Sequence, residues 1–220
     1  MDDDSKTMIY SSIVNGFFVA LGFEQDVLKQ SHLLVERTLM LYNTISDELL
    51  PTPANPHYTF NLRDFAKVFQ GLMMCSNSTV TIKADVVKLW IHELRRVFQD
   101  RLTSKKDIDW FSELVTNEVE NSFNINSMND LIPINKHGRL FFGEYMSSAD
   151  NRPYEYVDDH NKMMLSLKEQ LQDYNDESKS PMNLVLFLDA IEHVSRLCRI
   201  LRQPLGNALC LGVGGSGRQR

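Results

Sequence analysis

The chain has 220 residues, 43% of them apolar and 24% charged, with a formal net charge of −6. This is an ordinary globular composition, with room for one large domain or two small ones. The acidic balance argues against nonspecific nucleic-acid binding, which needs a basic footprint. Cys75, Cys198 and Cys210 lie far apart with no CxxC and no nearby His pair, so they read as reduced thiols of a cytosolic protein, not as disulfides or zinc ligands. The acidic opening Met1-Asp2-Asp3-Asp4 does not resemble a signal or transit peptide. No apolar run approaches the ~20 residues that span a bilayer, so no membrane association is expected.

Helical periodicity dominates the chain. Thr7 to Leu21 reads as a short helix that Gly22 can end. From Gln25 to Leu50, Val27, Ser31, Leu34, Thr38, Leu41, Ile45 and Leu49 form one face, which predicts a long amphipathic helix. Pro51, Pro53 and Pro56 then impose an extended connector. Asn61 is a good N-cap, with Asp64 well placed in the first turn of a helix whose buried stripe is Phe65, Val68, Phe69 and Leu72.

The polar Ser76-Asn77-Ser78-Thr79 precedes a helix at about 83–102, whose apolar face carries Val86, Leu89, Trp90, Leu94, Val97 and Phe98. Another follows at 107–123 around Ile108, Phe111, Leu114, Val115 and Val119. The stretch 124–153 is rich in Asn, Pro and Gly, with a short strand possible at Arg139-Leu140-Phe141-Phe142. Helix resumes from Tyr154 to Tyr174, and Ser180-Pro181 opens a last apolar helix from Met182 to Arg202. Pro204 and Gly206 break it, and Asn207 to Leu211 reads as a buried strand. The expected order is an all-α unit, a boundary near 173–181, and the entry to an α/β unit.

The most informative motif is the ending Gly212-Val213-Gly214-Gly215-Ser216-Gly217-Arg218-Gln219. An apolar strand feeding G-x-x-x-x-G is the context in which loop N–H groups and the next helix N-terminus surround phosphate oxygens. The next two positions are Arg and Gln where such loops carry Lys and Ser/Thr. Arg218 keeps the charge without the compact ammonium, and Gln219 has no hydroxyl for magnesium. A plain glycine turn joining strand to helix is the alternative.

Arg63 is the second candidate. A cation in a first helical turn opposes the helix dipole, so an Arg held there reads as aimed at an anion. A solvated Arg paired with Asp64 or Asp47 is the blander reading, and the residues alone favour it. His92-Glu93 lacks the second His of H-E-x-x-H, since position 96 is Arg; that helix reads as Trp90 in the core with ion pairs on a solvated face. His137, His160 and His193 are isolated, and Asp189 with Glu192 reads as a charged face.

Several segments together resemble the motor region of dynein heavy chains. Leu49-Leu50-Pro51-Thr52-Pro53-Ala54, then His57 to Phe65 and Phe69-Gln70-Gly71, resemble the late third AAA+ module. Leu89-Trp90-Ile91-His92-Glu93 with Arg96-Val97 and Asp100-Arg101-Leu102 resembles that module's helical lid. Asn183 to Phe187, His193-Val194-Ser195-Arg196, Leu201-Arg202-Gln203-Pro204, Gly206 to Leu209 and Gly212 to Gln219 resemble the opening of the fourth module, with the Arg-Gln ending of the axonemal branch.

The resemblance implies a mainly α fold: a helical AAA+ lid and connector, followed by the first strand and P-loop of an incomplete α/β module. It places the end of the third module at 1–60, the lid and connector at 61–180 and the start of the fourth module at 181–220. It implies that Arg63 is the sensor-2 arginine, reversing the preference from residues alone. Gly212, Gly214, Gly215, Ser216, Gly217, Arg218 and Gln219 become a degenerate nucleotide-binding loop. The implied cofactor is ATP or ADP with magnesium in the full heavy chain. The implied partners are neighbouring AAA+ modules, microtubules and dynein intermediate and light chains, at an axoneme.

The third module's own P-loop is expected before residue 1, and Arg220 is expected to mark a truncation, a splice junction or an engineered boundary. The competing readings are a free-standing α-helical interaction protein with a flexible glycine-rich tail, and a small self-contained P-loop enzyme, which needs more strands than the pattern offers.

Overall fold

A computed structural model of the chain describes residues 2–132, 139–146 and 152–210. Its contacts divide the chain into two compact units, Met1–Leu140 and Phe141–Arg220.

The first unit is helical. Helix α1 (Asp3–Ala20) starts at Asp2, whose carboxylate accepts the Ser5 N–H at 2.8 Å. It stops at Gly22, which takes φ +68°. The Gly22 N–H returns to Val19 O and the Phe23 N–H to Phe18 O, and the Phe18 and Phe23 rings meet at 4.9 Å. This left-handed cap with its apolar clasp satisfies carbonyls that a helix end leaves open.

The long helix expected over 25–50 is broken in two: α2 (Gln25–Leu28) and α3 (Ser31–Glu48). The Ser31 hydroxyl donates to Leu28 O, and the Gln30 N–H closes a tighter turn onto Val27 O, so local bonds compete with the helical ladder there. The expected face survives the break, since Val27, Ser31, Leu34, Thr38, Leu41 and Ile45 are all buried.

Helix α4 (Leu62–Leu72) packs on α5 (Lys83–Val97), and α1 on α3. Phe65, Val68, Phe69 and Leu72 of α4 and Val86, Leu89, Trp90 and Leu94 of α5 are buried as their spacing predicts. Trp90 Nε1 donates to Thr38 Oγ1 at 2.8 Å, and that hydroxyl donates to Leu34 O at 2.6 Å, so the largest core side chain keeps its polar atom satisfied. Helix α5 ends five residues earlier than expected, and a 3-10 turn at Gln99–Arg101 follows. Helices α6 (Lys105–Ser122) and α7 (Met128–Leu131) follow.

In the second unit, β1 (Phe142–Gly143) pairs antiparallel with β2 (Glu155–Tyr156). The sequence suggested the first strand and missed the second. Helix was expected from Tyr154, but α8 (His160–Glu177) begins only where the Asp159 carboxylate accepts the Asn161 and Lys162 N–H groups. Residues before it are held in the strand, where the Val157 N–H donates to Phe141 O. The helix expected from Met182 starts instead at Leu188, as α9 (Leu188–Arg202). The Asn175 side chain explains the delay: it donates to Met182 O and accepts the Met182 N–H, binding that backbone in an extended form.

The core of this unit is Phe141, Tyr145, Val157, Met163 and Ile191. Residues 207–210 of the expected buried strand are neither strand nor buried, with Leu209 84% exposed. An extended segment with no neighbouring strand has no ladder for its backbone groups. Leu211 lies outside the described residues.

Candidate nucleotide-contact site

The first turn of α4 carries Arg63. Asn61 caps this helix by accepting the Arg63 N–H at 2.9 Å, and the Asp64 carboxylate folds back to accept the Asn61 N–H at 3.1 Å. The backbone that aims Arg63 is therefore fixed from both sides. Its side chain is exposed and makes no hydrogen bond or ion pair among the described residues. Neither acidic partner of the blander reading is taken. Asp64 is buried, at 6% exposure, and receives Arg101 Nη1 at 2.9 Å on Oδ2, with Lys67 Nζ 3.7 Å from Oδ1.

Arg101 falls in the 83–102 segment, whose charged residues are expected to form ion pairs on a solvated face, but it is bound to the connector instead. Its Nη2 donates to the carbonyls of His57 and Thr59 at 3.0 and 2.8 Å, and its guanidinium lies 4.7 Å from the centre of the Phe60 ring. His57 Nε2 returns the bond to Arg101 O at 2.9 Å. One turn on, Tyr58 donates its hydroxyl to Asp107 at 2.8 Å and accepts the Thr103 N–H at 3.1 Å, while Thr103 Oγ1 donates to Asn55 Oδ1 at 2.9 Å. The connector 55–61 is thus laced to 101–107, and the lacing ends at the turn that bears Arg63. These pairs lie 37 to 49 positions apart along the chain, beyond the reach of local pattern.

A guanidinium left unengaged at a helix N-terminus has the charge and fork geometry to meet a phosphate or carboxylate. The described residues fit a nucleotide to that extent. The loop residues Gly212, Gly214, Gly215, Ser216, Gly217, Arg218 and Gln219 all lie outside the described residues.

The remaining candidates resolve otherwise. His92 and Glu93 are buried in the α5 packing, not solvated, with His92 Nδ1 3.0 Å from Glu93 Oε1. Among the described residues no cluster of three or more His, Cys, Asp or Glu side chains has the arrangement of a metal site. Burial, reinforced by the Glu93 charge, pushes the Cys75 thiol up to about 12, which leaves it unreactive near neutrality. No helix is long and apolar enough to cross a membrane among the described residues.

The comparisons with known proteins fall on this architecture. The AAA+ lid domain family matches residues 34–133, and the P-loop containing dynein motor region D4 matches residues 182–220. The chain is therefore an AAA+ segment that carries a lid and runs into a P-loop region. Dynein axonemal heavy chain 1 of Homo sapiens is 41% identical over 99% of this chain and 5% of its own length. Dynein axonemal heavy chain 3 of Homo sapiens is 39% identical over 99% and 6%. Dynein axonemal heavy chain 6 of Homo sapiens is 38% identical over 99% and 5%. The chain belongs to the dynein heavy-chain family, of the axonemal type, and spans about one-twentieth of the length of these relatives.

Proposed function

We propose that this chain is the lid-and-connector segment of an ATP-driven microtubule motor, in which it couples nucleotide state between adjacent AAA+ modules. In this reading Arg63 is the sensor-2 arginine and contacts nucleotide held by the third module, whose end lies at 1–60. The helical lid and connector occupy 61–180. The fourth module opens at 181–220, and Gly212, Gly214, Gly215, Ser216, Gly217, Arg218 and Gln219 form its degenerate phosphate loop. The cofactor is ATP or ADP with magnesium. The partners are the neighbouring modules, with microtubules and dynein intermediate and light chains reached through the full complex, in a cilium or flagellum.

The observation that supports this reading best is Arg63 itself. It is an exposed guanidinium at a capped helix start, while the adjacent acid is bound to another arginine. Nucleotide bound against Arg63 pulls on a helix start that is bonded through Arg101 and Tyr58 to the turn before α6. Movement of the lid as a unit follows from such a connection better than a local side-chain adjustment does.

The test is ADP affinity in a dynein motor region carrying this segment. Arg63→Ala removes a charge-assisted hydrogen bond, a loss of about 1.5–3 kcal/mol or roughly 10- to 150-fold in affinity at the third module. An unchanged affinity there sinks the assignment. The 220-residue chain alone should show no ATP turnover above background, because hydrolysis needs a group that positions water beside the phosphate loop and the sequence around 212–217 offers none.

A further inference from the structure

We propose that Arg101 is a positioning residue for Arg63: by claiming the Asp64 carboxylate it leaves the Arg63 guanidinium free for a phosphate. This rests on the reading of Arg63 as a nucleotide contact and names what keeps that contact available.

Asp64 is the acid next to Arg63, and its carboxylate is drawn back over the helix start to reach the Asn61 N–H. Adjacent helical positions do not face one another in mid-helix. Here, however, both side chains lean toward the N-terminus, and the Asp64 carboxylate lies in front of the first turn. It is buried, and a buried carboxylate that loses its charged partner recruits another cation or suffers the full desolvation penalty. Arg101 prevents that recruitment. It supplies one N–H to Asp64 Oδ2, and its other terminal nitrogen is anchored on His57 O and Thr59 O, so it does not swing away with solvent. The Phe60 ring beneath the guanidinium holds its plane.

Removing Arg101 exposes a competition among Arg63 and Lys67 for one carboxylate. Lys67 already stands 3.7 Å from Oδ1 but is more than half exposed, and a single ammonium does not give the paired donors that a guanidinium does. Arg63 is the stronger competitor, and its capture by Asp64 withdraws it from any ligand.

The experiment uses the full 220-residue chain with isotope-labelled arginine, read by NMR at the Arg63 Nε–H without nucleotide. In the wild type this proton exchanges fast with water. Asp64→Asn leaves that rate unchanged, because Asp64 is not the partner of Arg63. Arg101→Gln slows the exchange roughly tenfold, as Arg63 closes on Asp64. The double variant Arg101→Gln/Asp64→Asn restores the wild-type rate; a purely structural role for Arg101 would leave the double variant no better than the single. Arg101→Lys retains a charge at Asp64 without reaching both carbonyls, so it gives intermediate slowing and serves if the Gln variant does not fold.

Unchanged exchange in a folded Arg101→Gln protein, or Lys67 found on Asp64 instead, overturns the proposal. In the motor region, Arg101→Gln should weaken ADP about as much as Arg63→Ala, with recovery in the double variant. If Arg63→Ala leaves ADP affinity intact, the nucleotide assignment fails while the NMR result stands; if it lowers affinity and the exchange pattern is absent, only the role of Arg101 fails.

Discussion

Asp107 shows how single side chains tie the connector to the helix that follows it. Hydrogen bonding with Ser104 first, and with Tyr58 second, holds its carboxyl below the usual range. A depressed carboxyl contributes stability above its unfolded value and loses it as pH falls through the folded one. The contribution is therefore complete at neutral pH and fades below about pH 4. Asp107→Asn should lower Tm at pH 7 by about 2–5 °C, and the gap to wild type should close as pH is taken from 4 to 2. A gap that stays constant across that range would show that the carboxylate charge is not what binds Tyr58. Arg63 stands apart from these laced residues: its neighbours are committed to one another, and its own head group is not.

At the scale of elements, the sequence was legible wherever amphipathic spacing met a cap. Helix α4 is the clearest case, with Asn61, Asp64 and the Phe65 stripe all placed from pattern alone. Asn61→Ala should cost about 1 kcal/mol, seen as a lower urea midpoint at unchanged slope, and Asn61→Ser should recover most of it. No loss in the Ala variant would mean that the Asp64 side of the box carries the cap alone.

Pattern failed where apolar residues recur without saying which partner they meet. Leu184, Val185 and Phe187 fit a helical stripe, yet the backbone ahead of α9 is held extended by Asn175, and these side chains are largely exposed. Asn207 to Cys210 read as a strand because an apolar run before a glycine loop has that form in a sheet, but no neighbouring strand is present among the described residues. The break at Lys29 and Gln30 was invisible because the apolar face continues through it. Arg101 was misread for a different reason: its acceptors are backbone carbonyls and a carboxylate far away in sequence, which no local window brings together.

At the scale of the whole chain, the two compact units differ in how completely they bury their apolar residues. The first encloses Trp90, Phe18, Phe65, Phe69, Phe98, Phe111 and Phe123 almost fully. The second buries only seven apolar residues among those described and leaves Val185, Leu205 and Leu209 at 82%, 97% and 84% exposure. Apolar area removed from water is the main favourable term in folding, so the second unit should be the weaker. Both tryptophans, Trp90 and Trp110, lie in the first unit, which separates the two signals. Urea unfolding followed by tryptophan fluorescence should report the first unit alone. Helical circular dichroism should begin to fall at lower urea, because α8 and α9 melt first, and such non-coincident transitions rule out a single two-state step. A 1–140 fragment should retain a fluorescence midpoint within a few tenths molar of the full chain, about the scatter of such fits. Coincident transitions in the full chain, together with an unfolded fragment, would instead mean that the lid depends on residues 141–220 for its stability.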